Sequence, residues 1–261
     1  ISRNTRGVPV ANVIPVGDSE RVNAIVGVKS LQETELYLVM VTRKGSVKRV
    51  ALEEISKIRR SGLIIMNLKA DDELVMARLA MDEDDMIMVS EQGMSIRFPA
   101  AAIKSRHRQA GGVRGMTLGG KDRIVSMDKV IPDSKLLVIS RKGFGKLTDM
   151  NRYRSQGRGG AGTKTLNITR KTGNVAAAEV IADSDEVYVV SKKAQVLRTS
   201  LSEIRSMGRA TQGVTILKPQ PGDSVSSIAC VRNLRSPEGD EATLPSHTNG
   251  NRKGRGGTPL L

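Results

Sequence analysis

Apolar residues in this chain come in short continuous runs rather than in helical stripes. Leu36-Tyr37-Leu38-Val39-Met40-Val41-Thr42 is one such run; Arg43-Lys44-Gly45 breaks it, and Ser46-Val47-Lys48-Arg49-Val50 returns. Two β-prone runs around a glycine-containing turn predict a hairpin. Leu52-Glu53-Glu54-Ile55 has room for one helical turn. After Gly62 come two further runs, 63–68 and 74–81, separated by the acidic turn Lys69-Ala70-Asp71-Asp72-Glu73. Four short strands with a long middle connection predict one blade-like sheet per repeat.

The same order returns along the chain. Strands are expected at 86–90, 94–98, 113–118 and 124–130, then at 136–140, 144–148, 163–168 and 175–181, then at 187–191, 195–199, 214–218 and 225–232. Residues 1–30 supply the second half of a copy, with strands near 7–14 and 22–28. The glycines that anchor the long connection, Gly7, Gly62, Gly112, Gly162 and Gly213, are 55, 50, 50 and 51 residues apart. A period of this size marks a repeat architecture in which neighbouring units bury each other's faces. The expected fold is all-β, propeller-like, with a half blade over 1–30 and full blades over 31–81, 82–130, 131–181 and 182–232. A β-solenoid fits less well, because its rungs are much shorter. Residues 233–261, rich in Gly, Pro, Ser, Thr and Asn and without an apolar period, are expected to be a disordered tail. The chain starts with Ile1, inside a repeat, so it is expected to be a piece of a longer protein.

Charge sharpens this picture. With 42 Lys and Arg against 27 Asp and Glu, the net charge is +15. The residues from Asn233 onward carry four basic and three acidic side chains, so nearly all the excess lies on the repeats. Such a balance points to a polyanionic partner, nucleic acid first and an anionic membrane surface second. Apolar stretches are strand-sized, so no membrane span is expected. The single cysteine, Cys230, lies in an apolar run and reads as a small hydrophobe, which suits a reducing cytoplasm.

Two rows of cations recur. One precedes the long-connection glycine: Arg3 and Arg6, Arg59 and Arg60, Arg106 and Arg108, Arg154 and Arg158, Arg205 and Arg209. The other follows the hairpin turn: Lys48 and Arg49, Arg97, Lys146 and Arg198. Arginine suits phosphate because its planar fork donates two hydrogen bonds. The DNA-binding candidates are thus Arg3, Arg6, Arg49, Arg60, Arg97, Arg106, Arg108, Lys146, Arg154, Arg158, Arg198 and Arg209. Aromatics choose among nucleic acids. Only Tyr37, Tyr153, Tyr188, Phe98 and Phe144 are present, with Tyr37 and Tyr188 expected in the core. Single-strand binders stack bases on aromatic side chains, so sequence-insensitive contact with a duplex backbone fits better.

Catalysis has little support in the sequence. His107 lies among cations, His247 lies in the tail, and no histidine–cysteine cluster has zinc-ligand spacing. Asp82-Glu83-Asp84-Asp85 lacks the glycine and spaced oxygens of a calcium loop. No metal or cofactor is expected in this piece. A propeller scaffold for an acidic protein is the alternative from another functional class.

Three phrases carry a family resemblance: Tyr153-Arg154-Ser155-Gln156-Gly157-Arg158-Gly159-Gly160-Ala161-Gly162-Thr163-Lys164-Thr165, Met207-Gly208-Arg209-Ala210-Thr211-Gln212-Gly213-Val214, and Gly111-Gly112-Val113-Arg114-Gly115-Met116. Over residues 1 to about 232 the chain resembles the C-terminal domain of the DNA gyrase A protein, with that of topoisomerase IV as a close relative. The resemblance implies a six-bladed β-pinwheel that wraps duplex DNA and supports ATP-dependent negative supercoiling by a type II topoisomerase. It further implies a missing breakage-reunion part of the same polypeptide, a gyrase B partner in a heterotetramer, ATP and Mg2+ in the holoenzyme, and a bacterial, nucleoid-associated location. The resemblance implies that the family's glutamine-arginine-rich box would belong to a blade upstream of Ile1. Gln156-Gly157-Arg158-Gly159-Gly160-Ala161-Gly162 matches five of its seven positions and is read as a related blade turn. Tyr153 is not expected to be the family's catalytic tyrosine.

Overall fold

A computed structural model describes Val8, Asn12, Ile14, Gly17 and residues 20–58, 62–182, 184 and 186–231. Of the expected features, the strand at 7–14, Arg3, Arg6, Arg59, Arg60 and the tail lie outside the described residues, apart from single positions in that strand.

Fifteen strands are present among the described residues, and no α-helix. They are β1 Tyr37–Thr42, β2 Ser46–Ala51, β3 Leu74–Ala80, β4 Asp85–Ser90, β5 Met94–Pro99, β6 Val113–Arg114, β7 Ile124–Lys129, β8 Lys135–Ser140, β9 Phe144–Asp149, β10 Thr163–Lys164, β11 Val175–Ile181, β12 Glu186–Ser191, β13 Val196–Ser200, β14 Val214–Thr215 and β15 Val225–Val231. Each hairpin is followed by a single 3-10 turn, the first being Leu52–Ile55.

The sheets run β3-β1-β2-β6, β10-β5-β4-β7, β11-β8-β9-β14 and β13-β12-β15. This corrects the expectation of four strands from one repeat. Three strands come from one copy, and the fourth is lent by the copy that follows. Ser46 pairs with Arg114, Ser95 with Thr163, and Gly145 with Val214. The stretch 63–68, expected as a ladder strand, makes only an isolated bridge from Asn67 to Gly111. The stretch 22–28 forms no strand either, because no hairpin among the described residues lies beside it to supply a ladder. Ala24 and Val26 pack instead against the first blade's core, and Asn23 Nδ2 donates to Leu74 O at 2.9 Å.

The unbroken apolar runs now have a reason. A strand buried on both faces needs no polar alternation. Leu38 and Met40 of β1 face one cluster, with Leu52 and Ile55, while Val39 and Val41 face the seam with Met86, Met88, Ile96 and Phe98. Ile87 and Val89 turn to the next seam, against Leu136 and Val138. Leu137 and Ile139 meet Val187 and Val189 across the last. Each blade is thus the filling between its neighbours. Along the hub, inner strands touch directly: Ser126 Oγ donates to Ala178 O at 2.6 Å, and Arg78 Nε meets Asp128 Oδ1 at 2.9 Å. Glu91, only 5% exposed, meets Arg123 of its own repeat at 2.7 Å and reaches across the seam to Arg141 of the next at 2.6 Å.

Candidate nucleic-acid interface

Among the described residues, the long connections of the second, third and fourth repeats each cross to the preceding blade and lie along its outer flank. Arg106 N donates to Arg49 O at 3.1 Å and Gln156 N to Arg97 O at 2.9 Å. Met207 N donates to Leu147 O at 2.8 Å. Arg97 bridges Ser155, and Leu147 bridges Ser206, in the same parallel fashion. The three basic loops therefore dock at one register position of three successive hairpins, which places their cations at equivalent points on the rim. Directly after the 3-10 C-caps Ile103, Tyr153 and Ile204, the equivalent Lys104, Arg154 and Arg205 are exposed, and Arg106 is exposed two residues further on; the equivalent Arg108, Arg158 and Arg209 are half-buried. Arg158 is partly committed inward, its Nε donating to Ala102 O at 2.8 Å and a terminal nitrogen to Arg114 O at 2.9 Å.

The hairpin row does not form a second track. Counted from the turn residues Gly45, Gly93, Gly143 and Ala194, Lys48 and Lys146 occupy one register with Ile96 and Leu197, whereas Arg49, Arg97 and Arg198 stand one residue later. Adjacent strand residues point to opposite faces, so two different sets were combined. Lys48 is 1% and Lys146 0% exposed. The Lys48 ammonium donates to the carbonyls of Ile65, His107, Arg108 and Ala110 at 2.8, 2.9, 2.6 and 2.7 Å. Lys146 donates to the carbonyls of Gly208 and Arg209.

The arginines of the other register are paired. Arg49 is buried, meets Asp82, and lies 4.2 Å from the Tyr37 ring centroid. Arg97 meets Asp85 at 2.7 Å and donates to Tyr153 O at 3.2 Å. Arg198, more exposed, forks onto both oxygens of Glu186 at 2.7 Å, which raises its pKa, and lies 6.0 Å from the Tyr188 ring. Arg49 and Lys146 are thus buried and paired inside the fold, Arg97 is half-buried on Asp85, and Arg198 stays exposed while paired with Glu186. Tyr37 and Tyr188 are half-buried arginine platforms rather than core residues. Tyr153 is core, its hydroxyl 2.6 Å from Thr165 Oγ1, and burial raises its pKa. Cys230 packs beside the last seam, where burial and Glu179 push its thiol up.

Besides Lys104, two rim cations were missed. Arg114 and Lys164 are the exposed second residues of the lent strands β6 and β10. Their signal was present: each directly follows an inward residue, Val113 or Thr163, after the loop glycine.

Known proteins resemble this assembly. The sequence model of the family described as DNA gyrase C-terminal domain, beta-propeller, matches residues 36–79, 84–131, 134–182 and 185–232. The chain belongs to this family. The matched segments coincide with the four hairpin-bearing repeats. The DNA gyrase A protein of Mycolicibacterium smegmatis is 37% identical over 247 residues, 94% of this chain and 29% of that relative. The DNA gyrase A protein of Staphylococcus aureus is 33% identical over 243 residues, 92% of this chain and 27% of that relative. The chain spans less than a third of the length of these relatives. Among solved structures, a DNA gyrase A C-terminal domain matches with TM-score 0.78 at 25% identity, over 87% of this chain and 76% of that one. The C-terminal domain of DNA topoisomerase IV matches with TM-score 0.80 at 26% identity, over 87% of this chain and 71% of that one.

Proposed function

We propose that this chain binds duplex DNA without sequence preference and bends it along the blade rim. In the whole gyrase A protein it would wrap DNA for strand passage. The breakage-reunion part of that polypeptide, the gyrase B protein, ATP and Mg2+ would supply the chemistry of negative supercoiling. One observation carries the reading: the exposed cations Lys104, Arg154 and Arg205 stand at equivalent places on three successive blades, on loops docked at one register position. Arg114 and Lys164 on the lent strands extend that surface outward. Bending a 20–30 bp site by 40–90° costs on the order of 1–6 kcal/mol. Several charge-assisted phosphate contacts, each contributing about 1.5–3 kcal/mol, offset that.

The sequence relatives favour a gyrase A domain over the topoisomerase IV counterpart, since 37% identity extends over 94% of the chain. A salt titration tests the proposal. The logarithm of affinity for a duplex of about 40 base pairs should fall linearly with log salt, with a slope near −0.9 per phosphate neutralised and about −5 or steeper in total. A slope near zero would rule out phosphate contact and leave the acidic-protein scaffold.

A further inference from the structure

We infer that Lys48 and Lys146 are positioning residues: buried ammonium groups that clamp the following blade's basic loop and fix where its arginines meet phosphate. This rests on the DNA-binding role proposed above. The carbonyls they hold include those of Arg108 and Arg209 themselves. The clamp thus acts on the backbone of the two half-buried loop arginines, across the seam where one repeat lends its strand to another.

Packing alone does not demand a lysine there. Ile96 fills the same register in the middle blade and is fully buried in the seam cluster. A hydrophobe is compatible with the fold, and it avoids the cost of burying a charge. At the Ile96 seam the basic loop is anchored differently, by Arg158 reaching back to Ala102 O and Arg114 O. Each of the three seams therefore has a cation bonded to loop or strand carbonyls, drawn from the hairpin in two and from the loop in one. An ammonium has three N–H donors. At Lys48 they are shared among four carbonyls, all within 2.9 Å. An uncharged amine would have two donors and a lone pair facing the remaining oxygens.

Titration gives the clamp a signature. Burial, then Arg209 and Arg152, lower Lys146 to about 8. Arg152 lies 3.9 Å from Asp149, and the nearby Tyr153 hydroxyl titrates above its ordinary range. Burial lowers Lys48 as well, with Glu54 opposing and Arg106 assisting. The unfolded chain keeps the Lys146 proton up to its ordinary 10.5, so between about 8 and 10.5 it binds more protons than the folded chain. Stability from this group accordingly rises with pH in that window. The clamp weakens while the fold does not.

The test uses the 261-residue chain, its Lys48→Met and Lys146→Met variants, and a duplex of about 40 base pairs. Amide exchange is measured without DNA, and affinity at a temperature where circular dichroism is native. We expect loop amides over 106–111 in the first variant and 206–211 in the second to exchange at least tenfold faster, and duplex affinity to fall about tenfold. Unchanged loop exchange overturns the clamp. Faster exchange with undiminished affinity overturns the positioning role. Failure of the unsubstituted chain to bind duplex sinks the proposed function and the positioning role with it. Should a variant not fold, the unsubstituted chain decides. Between pH 7 and 9 at fixed ionic strength its affinity should drop several-fold while its melting temperature does not fall; a flat affinity profile overturns the inference.

Discussion

Replacing Gly143 by alanine should lower stability by about 3 kcal/mol or more, the largest single-site loss expected outside the hydrophobic seams. Two costs coincide. The residue sits at φ +78°, where a Cβ is disfavoured, and that Cβ would overlap the carbonyl of Leu217 in the lent segment of the next repeat. The same conflict exists at Gly45, whose Cβ would lie 2.9 Å from Met116 O, and at Gly93, 2.5 Å from Leu166 O. The fourth hairpin supplies the control. Its turn carries Ala194 at φ +62°, and no strand among the described residues pairs with the outer edge of β13. Alanine is tolerated where nothing crosses the turn. Ala194→Gly should therefore stabilise by only about 1 kcal/mol, the backbone contribution alone. For a chain of this size a loss of 3 kcal/mol lowers Tm by roughly 6–12 °C. A thermal melt of Gly143→Ala within 2 °C of the parent would show that the strand exchange does not constrain this turn.

Arg108, Arg154 and Arg209 changed together to alanine should reduce duplex affinity by about 10³-fold or more at low salt. Each removes one charge-assisted phosphate contact, and the salt slope should fall in magnitude by about 0.9 per contact, close to 3 in all. None of the three is fully buried, so the fold should survive with a near-parental melt. That separation of binding from folding distinguishes them from Lys146 and Arg49, whose loss disturbs a seam. An unchanged salt slope in the triple variant would remove these loops from the DNA path.

Much of this was legible in the sequence, for identifiable reasons. Hairpins announced themselves because both faces of β1, β4 and β8 are buried, which produces apolar runs with no polar break. The basic loops were legible because their glycine recurs at a fixed spacing. The origin of each sheet's fourth strand was not. Val113-Arg114 and Thr163-Lys164 read as strand, but two residues cannot say which hairpin they join, and pairing with the preceding repeat is a decision of tertiary packing. The hairpin cations went astray through parity. Lys48 and Arg49 are neighbours in sequence but opposite in direction, and placing Lys146 with Arg97 and Arg198 overlooked a one-residue offset from the turn. Ile96 at the Lys48 register was the available warning, because a position that accepts isoleucine in one blade is an inward position in all of them. Arg114 and Lys164 were passed over because they sit inside stretches read as strands, 113–118 and 163–168, rather than beside the loop glycine on its basic side.

Rim cations repeated in register should hold a duplex along a curve, and on this the proposed role depends. Energy transfer between dyes at the two ends of a DNA duplex of about 40 base pairs tests it most directly. Saturating the duplex with this chain should bring the ends together, and adding salt should reverse the change along with binding. A duplex that is bound at saturation yet keeps its ends at the distance of the free rod would contradict it.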